Sequence, residues 1–413
     1  MIHIELPEDV RYIISSLRAE GYEAYAVGGC VRDCLLNSTP KDWDITTSAF
    51  PDEVKRIFQR TIDTGIKHGT VTVMLKGTGY EVTTYRVDGE YLDGRHPENV
   101  SFTGSLDEDL KRRDFTINAF VYSDETGVKD LFGGLDDLKN GIIRCVGDPE
   151  ERFREDALRI LRAIRFAAKL GFTIEPETYR ACIKLRQNLS KVSSERIKAE
   201  LDRILVSPNP GHISILRETG ISQIIMPELD NADISGLPKV LERADKELGV
   251  RWAVLCFFLS LNDKDAASIL MRRLKFDNKT RDRVLLFIRI AAEKLPFPGD
   301  REFRKACRIL INHTGKEDVF AFLSFCKALS AAFPLFDNDY ESLAKEIKDI
   351  FEKKECTSLK ELAVNGRDVL EITNAGGAEI GRILDLLLWK VMDDPELNRK
   401  EELLGLVTKI AEA

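Results

Sequence analysis

The stretch Ala24–Thr47, AYAVGGCVRDCLLNSTPKDWDITT, decides how the rest of the chain is read. It divides into a short strand at Ala24–Val27, a Gly28-Gly29 turn, a helix over Cys30–Leu36 and a second strand carrying Asp42 and Asp44. Residues i and i+2 of a strand share a face, so the carboxylates of Asp42 and Asp44 are expected side by side. Like charges that close repel strongly unless a cation lies between them. Mg²⁺ suits such a pair, because it takes one or two carboxylates, keeps several waters and fills its remaining positions with substrate phosphate. A glycine pair lets the backbone approach an anion, and a helix start adds free N–H groups to it. An Asp-x-Asp pair alone is commonly a solvated strand end, and a Gly-Gly pair alone a plain turn. Their order here, strand, Gly-Gly, helix with Arg32, then Asp-x-Asp, points to a metal held beside a phosphate cradle, the layout of nucleotidyl transfer.

Around this stretch, residues 1 to about 145 alternate helix and strand. Glu8–Ala19 reads as an opening helix with Pro7 suited to its first position. Pro51–Gln59 reads as an amphipathic helix that Pro51 starts. Val71–Leu75 and Tyr80–Tyr85 are β-rich and joined through Gly77-Thr78-Gly79, a hairpin signal. Glu81 on the second of these strands is either a third carboxylate of the site or a partner for a nearby basic residue. Arg86–Asn99, RVDGEYLDGRHPEN, reads as a long mobile loop beside the site. In Lys111-Arg112-Arg113-Asp114-Phe115-Thr116-Ile117-Asn118 a basic run abuts apolar residues. Its arginines are therefore expected at the edge of a core, where a guanidinium fork fits phosphate oxygens. Asn118 is in reach of a ribose hydroxyl or a backbone group, and Leu131–Gly134 closes the domain with a turn.

From Asp148 the pattern becomes continuous helix. In EDALRILRAIRF, Glu155–Phe166, the apolar set is Leu158, Leu161, Ala163, Ile164 and Phe166. Asp156, Arg159, Arg162 and Arg165 recur every third residue and drift around the helix by about 60° per step, which makes Asp156 and Arg159 neighbours. An ion-paired exposed face is the plain reading. The sharper one is a locked carboxylate and guanidinium reading a base edge by hydrogen bonds, with the later arginines on phosphates. Further helices follow, with breaks at Pro208–Gly211, Phe276–Asn278 and Pro296–Gly299 and a capped turn at Leu362–Asp368. Among them, Ile213–Thr219, Lys239–Leu248 and Trp252–Leu261 read as helical and Met271–Val284 as basic and helical.

With 413 residues, 43% hydrophobic and 31% charged, the chain is expected to fold as several globular domains. Its longest apolar run, Ala253–Leu261, is far short of a membrane span. The start MIHIELPEDV lacks the basic and apolar regions of a signal peptide, so a cytoplasmic protein is expected. Eight scattered cysteines without a CxxC read as buried reduced thiols. The net charge of −8 argues only mildly against a nucleic-acid partner, since the basic residues cluster at 111–113, 152–165 and 272–283.

These motifs resemble the class II tRNA nucleotidyltransferases, the CCA-adding enzymes of the polymerase-β superfamily. GGCVRD with DWD looks like that family's motif A and RRDFTINA like its motif C. EDALRILRAIRF resembles its nucleotide-recognition motif followed by phosphate-binding arginines, and LAVNGRDV resembles the tail of the shorter bacterial members. The resemblance implies an α+β head with a small mixed sheet, followed by all-α neck, body and tail. The divisions fall at 1–146, 147–207, 208–297 and 298–413. It implies Mg²⁺ on Asp42 and Asp44, and nucleotide contacts from Gly29, Arg32 and Arg113, with Gly28, Asp114 and Asn118 in the same set. Asp156 and Arg159 are then expected to read the base of CTP or ATP, Arg162 and Arg165 to meet the phosphates, and the tRNA acceptor end to lie along neck, body and tail. A-adding relatives keep every one of these motifs. Bacterial poly(A) polymerases place proline after the Glu-Asp pair, where this chain has Ala157. A P-loop enzyme is disfavoured because GxxxxGK[ST] is absent.

Overall fold

A computed structural model of the protein describes residues 2–88, 100–291, 302–373 and 375–411. Most of the Arg86–Asn99 loop and the whole Pro296–Gly299 break lie outside the described residues. The chain forms two compact units, Met1–Asn231 with Arg273–Lys275, and Ala232–Arg272 with Phe276–Ala413.

The first unit opens with α1, Glu8–Ala19, whose Val10, Ile13, Ile14 and Leu17 recur at helical spacing and are buried. Pro7 stands one residue before the helix rather than at its first position. Then come β1 (Ala24–Val27), α2 (Gly29–Leu35), β2 (Asp44–Thr47), α3 (Pro51–Ile57), β3 (Thr61–Gly65), β4 (Thr70–Leu75) and β5 (Thr78–Thr84). β6 (Arg86–Asp88) pairs antiparallel with β7 (Val100–Phe102), so the expected loop begins as a strand and its base is a two-stranded ribbon. α4 (Leu106–Lys111), β8 (Phe120–Ser123), β9 (Gly127–Asp130), α5 (Gly134–Asn140) and β10 (Ile142–Ile143) complete the α+β part.

Seven strands form one sheet in the order β3-β4-β5-β2-β1-β8-β9, and β2–β5 is its parallel pairing. The β4–β5 hairpin turns at Lys76-Gly77, both with positive φ, and Leu75 pairs with Thr78. Two left-handed residues match the twist of a hairpin, which is why the turn sits one residue earlier than the glycines suggested. β1 is buried along its whole length, and Tyr25, Val27 and Val121 pack against Leu106 and Leu110 of α4.

The helical half of this unit runs through α6 (Pro149–Glu155), α7 (Leu158–Leu170), β11 (Thr173–Ile174), α8 (Pro176–Leu185) and α9 (Ser194–Leu205). β10 and β11 pair in parallel and tie it to the sheet-bearing part. The predicted continuous helix is thus two helices, broken at Asp156 and Ala157.

The second unit is helical. Leu248–Ser260 is buried nearly all round, and Trp252 meets Phe276 edge-on at 4.9 Å. The helix expected over Lys239–Leu248 ends at Arg243, and the next begins at Leu248. The break near Phe276 falls between helices Ala266–Arg273 and Asn278–Ala291, with Lys275 at φ 55°. Asn365 accepts from Arg367 N–H at 2.9 Å and Asp368 accepts from Asn365 N–H at 2.8 Å, which makes the expected capped turn. Of the eight cysteines, all unbridged, seven are buried and Cys34 is half-buried. No described helix is long and apolar enough to cross a membrane.

Candidate active site

The end of β1, the start of α2 and the start of β2 meet in one place. Gly28 has φ 77° and ψ −125°, a conformation that a side chain strongly disfavours, and its N–H donates to Phe120 O at 3.1 Å. A Cβ there would stand 3.2 Å from Arg113 Nη1 and 3.5 Å from Asn118 O, so the bare backbone is what lets Arg113 approach. α2 is only seven residues long, which leaves attraction for an anion mostly to side-chain charge rather than to a helix dipole.

Asp44 is the first residue of β2 and is exposed, while Ile45, Thr46 and Thr47 behind it are buried. Asp42 lies before the strand, in a bend, and is exposed; the expectation that β2 carries both carboxylates is corrected to Asp44 alone. The parallel register sets Glu81 of β5 opposite Asp44. Although Asp44 keeps one side open to solvent, the protein crowding its carboxyl pushes it above its ordinary value, with the charges of Glu81 and Asp42 adding to the rise and Arg113 pulling the other way. This surplus of negative charge is what a divalent cation would relieve. Among the described residues no three His, Cys, Asp or Glu groups stand close enough to form a complete metal cage. Two carboxylates finished by water and substrate phosphate suit Mg²⁺ better than such a cage.

A buried polar chain runs from α2 to α7. Arg32, 3% exposed, donates to Asp33 Oδ1 from Nε at 2.8 Å and to the Asn118 amide oxygen through Nη1. Asn118 Nδ2 donates to Asp114 Oδ1 at 3.1 Å, and Asp114 Oδ2 accepts from Arg162 Nε at 2.8 Å. Burial alone would raise the Asp114 pKa, but the charge and hydrogen bonds of Arg162 and the Asn118 amide hold it well below the usual carboxylate range. Both ends of the Asn118 amide are therefore engaged, so in this state it braces Arg32 against Asp114. Arg165 pairs with Glu200 at 2.5 Å. The guanidinium carbons of Arg32, Arg162 and Arg165 lie 5.2, 5.5 and 3.9 Å from the centre of the Phe166 ring, a shared cation–π platform.

Asp156 is extended, φ −138° and ψ 105°, and links α6 to α7. Its Oδ1 accepts from Leu158 N–H at 3.0 Å, starting α7, and its Oδ2 accepts from Arg196 at 2.7 Å. Arg159, 9% exposed, donates to Glu155 at 2.5 Å and to the carbonyls of Arg152 and Arg112 at 3.2 and 2.9 Å. The two expected base readers are thus close in the chain, and each is oriented by its own partner. Glu155 went unread, though its i, i+4 spacing to Arg159 could have found it. Arg196 and Glu200 lie on α9, tens of residues away, and only the fold brings them in.

Among protein families, the Poly A polymerase head domain matches residues 24–144, the probable RNA and SrmB-binding site of polymerase A matches 171–233, and tRNA nucleotidyltransferase domain 2 matches 246–407. The CCA-adding enzyme of Leuconostoc mesenteroides is 36% identical over 97% of this chain and 96% of its own length. That of Ligilactobacillus salivarius is 37% identical over 100% and 99%. The structure of the Bacillus stearothermophilus CCA-adding enzyme in complex with CTP superposes with a TM-score of 0.80 at 32% identity, covering 97% of this chain and 96% of that one. With likeness of this extent along its whole length, the chain belongs to the family of CCA-adding enzymes, which are nucleotidyltransferases.

Proposed function

We propose that this protein adds C, C and A to the 3′ end of tRNA from CTP and ATP, without a nucleic-acid template, in the cytoplasm. The observation that carries the reading is the pairing of Asp44 with Glu81 across β2 and β5, at the strand end beside Gly28, where Arg113 Nη1 comes within 3.2 Å of a would-be Cβ. In the reaction the 3′-hydroxyl oxygen gives up its proton to water and forms a bond to the α-phosphorus, the bond from that phosphorus to the bridging oxygen breaks, and pyrophosphate leaves. Mg²⁺ held by Asp42 and Asp44 would lower the pKa of that hydroxyl and offset charge on the attacking and leaving oxygens. Arg113, Arg32, Arg162 and Arg165 orient the triphosphate. Asp156 and Arg159 present acceptor and donor groups to the edge of cytosine or adenine. Head, neck, body and tail at 1–146, 147–207, 208–297 and 298–413 belong to the same proposal. Its last boundary lies outside the described residues.

The test uses tRNA transcripts ending at the discriminator base, at C and at CC, each supplied with labelled CTP or ATP. CTP is expected on the first two and ATP on the third. Label only on the CC-ended transcript makes the protein an A-adding enzyme, and long A tails on unrelated RNA make it a poly(A) polymerase. Asp42→Ala and Asp44→Ala are expected to abolish incorporation with circular dichroism unchanged; substantial activity in either overturns the metal assignment.

A further inference from the structure

Behind the acidic edge lies a further carboxylate that the reaction above does not use. Asp109 of α4 is completely buried. Its Oδ1 accepts from Arg112 Nη2 at 2.7 Å and Nε at 3.0 Å, and from the Arg86 backbone N–H at 3.4 Å. Its Oδ2 accepts from Arg113 Nη2 and from Thr46 Oγ1, both at 3.3 Å. Thr46 is two residues beyond Asp44 on β2, hence on the same face of the strand. Arg113 is hydrogen-bonded to Asp109 on one side and on the other lies against Gly28, whose strand β1 pairs with β2 through Ala26 and Ile45, the residue next to Asp44. The guanidinium is not saturated, for Arg113 Nε is buried without a hydrogen-bond partner. A cation with spare donors this near a metal-holding carboxylate competes with the metal for it.

We propose that Asp109 is a positioning residue whose buried charge keeps the Arg113 guanidinium off Asp44 and so leaves the acidic pair free to take a divalent cation. The proposal rests on the reading of Asp42 and Asp44 as the metal-holding pair. Without the Asp109 charge, Arg113 turns to Asp44, and the ion pair so formed has to break before a cation can bind. Asp109 also accepts from the base of the β6–β7 ribbon, through Arg86 N–H. The same carboxylate thus fixes the ribbon and the arginine together.

The test is a Mn²⁺ titration by electron paramagnetic resonance, without nucleotide or RNA, on the full chain. Asp109→Asn is expected to weaken Mn²⁺ binding about tenfold, the size of one charge-assisted hydrogen bond. Adding Arg113→Gln is expected to restore it, and Asp109→Glu, which keeps the charge, to retain it. A purely structural Asp109 would give no such restoration. Should Asp109→Asn fail to fold, Asp109→Asn with Arg112→Gln rebalances the buried charge and carries the same comparison, with and without Arg113→Gln. Wild-type affinity in the charge-lacking variant, or failure of Arg113→Gln to restore binding, overturns the proposal. Asp44→Asn in the same titration separates the two ideas: if it leaves Mn²⁺ binding intact, the metal assignment is what fails. In transfer assays the Asp109→Asn loss is expected to be recovered by raising Mg²⁺.

Discussion

At Gly28 one missing methyl group sets the geometry of the site. Its positive φ and the 3.2 Å separation between a would-be Cβ and Arg113 Nη1 act in the same direction. Gly28→Ala is expected to cost about 1–3 kcal/mol of stability from backbone strain. It should also raise KM for CTP and ATP more than it lowers kcat, read by thermal melting and steady-state kinetics. Asp114 gives the pH test. Its folded pKa is depressed, so the stability it contributes is present above the ordinary carboxylate pKa of about 3.9 and is lost as pH falls below it. Asp114→Asn should therefore be less stable than wild type at neutral pH and show a shallower acid limb in unfolding curves; parallel acid limbs would contradict this. Gly28, Asp44, Arg113 and Asp114 were all legible from local sequence, because each lies in a short motif whose residue types already state a chemistry. Arg196, Glu200 and Asp109 were not: they act through side-chain partners supplied by other elements, and nothing in their own surroundings in the chain distinguishes them from solvated charges.

At the scale of elements, the break between α6 and α7 is the feature that apolar periodicity could not reveal. Ala157, Leu161 and Ile164 continue from Phe153 at spacings of four, four and three without a gap. The helix nevertheless ends at Glu155, because Asp156 turns its side chain to cap the next N-terminus. That turn carries the carboxylate away from a continuous helical face and into reach of Arg196 on α9. Arg196→Met is accordingly expected to loosen Asp156 and reduce discrimination between CTP and ATP several-fold, with Tm changed by only a few degrees. Nucleotide competition on a CC-ended transcript measures it, and unchanged selectivity would count against Asp156 as a base reader. Strands were read well where both faces are buried, as in β1. The ribbon base at Arg86–Asp88 was missed because three residues are too few to show an alternation.

For the whole molecule, a net charge of −8 and an RNA substrate are compatible only if basic residues are concentrated where RNA lies. Recognition through phosphates makes affinity fall with salt in proportion to the number neutralised. With about four such contacts, tRNA binding should weaken roughly a hundredfold between about 50 and about 200 mM salt, measured by filter binding. The order of an α+β part followed by helices was legible because strand-like and helix-like periodicities occupy separate stretches of the chain.

The parallel pairing of β2 with β5 has a kinetic consequence. Asp44 and Glu81 are neighbours in space although separated by α3, β3 and β4, and no tight turn can bring them together. Such non-local pairings form late, after hairpins such as β4–β5 have closed. The electrostatic burden of the crowded acids thus falls on the closing stage of folding rather than on its nucleus. A nascent chain can collapse before it has to bear the repulsion that its chemistry requires.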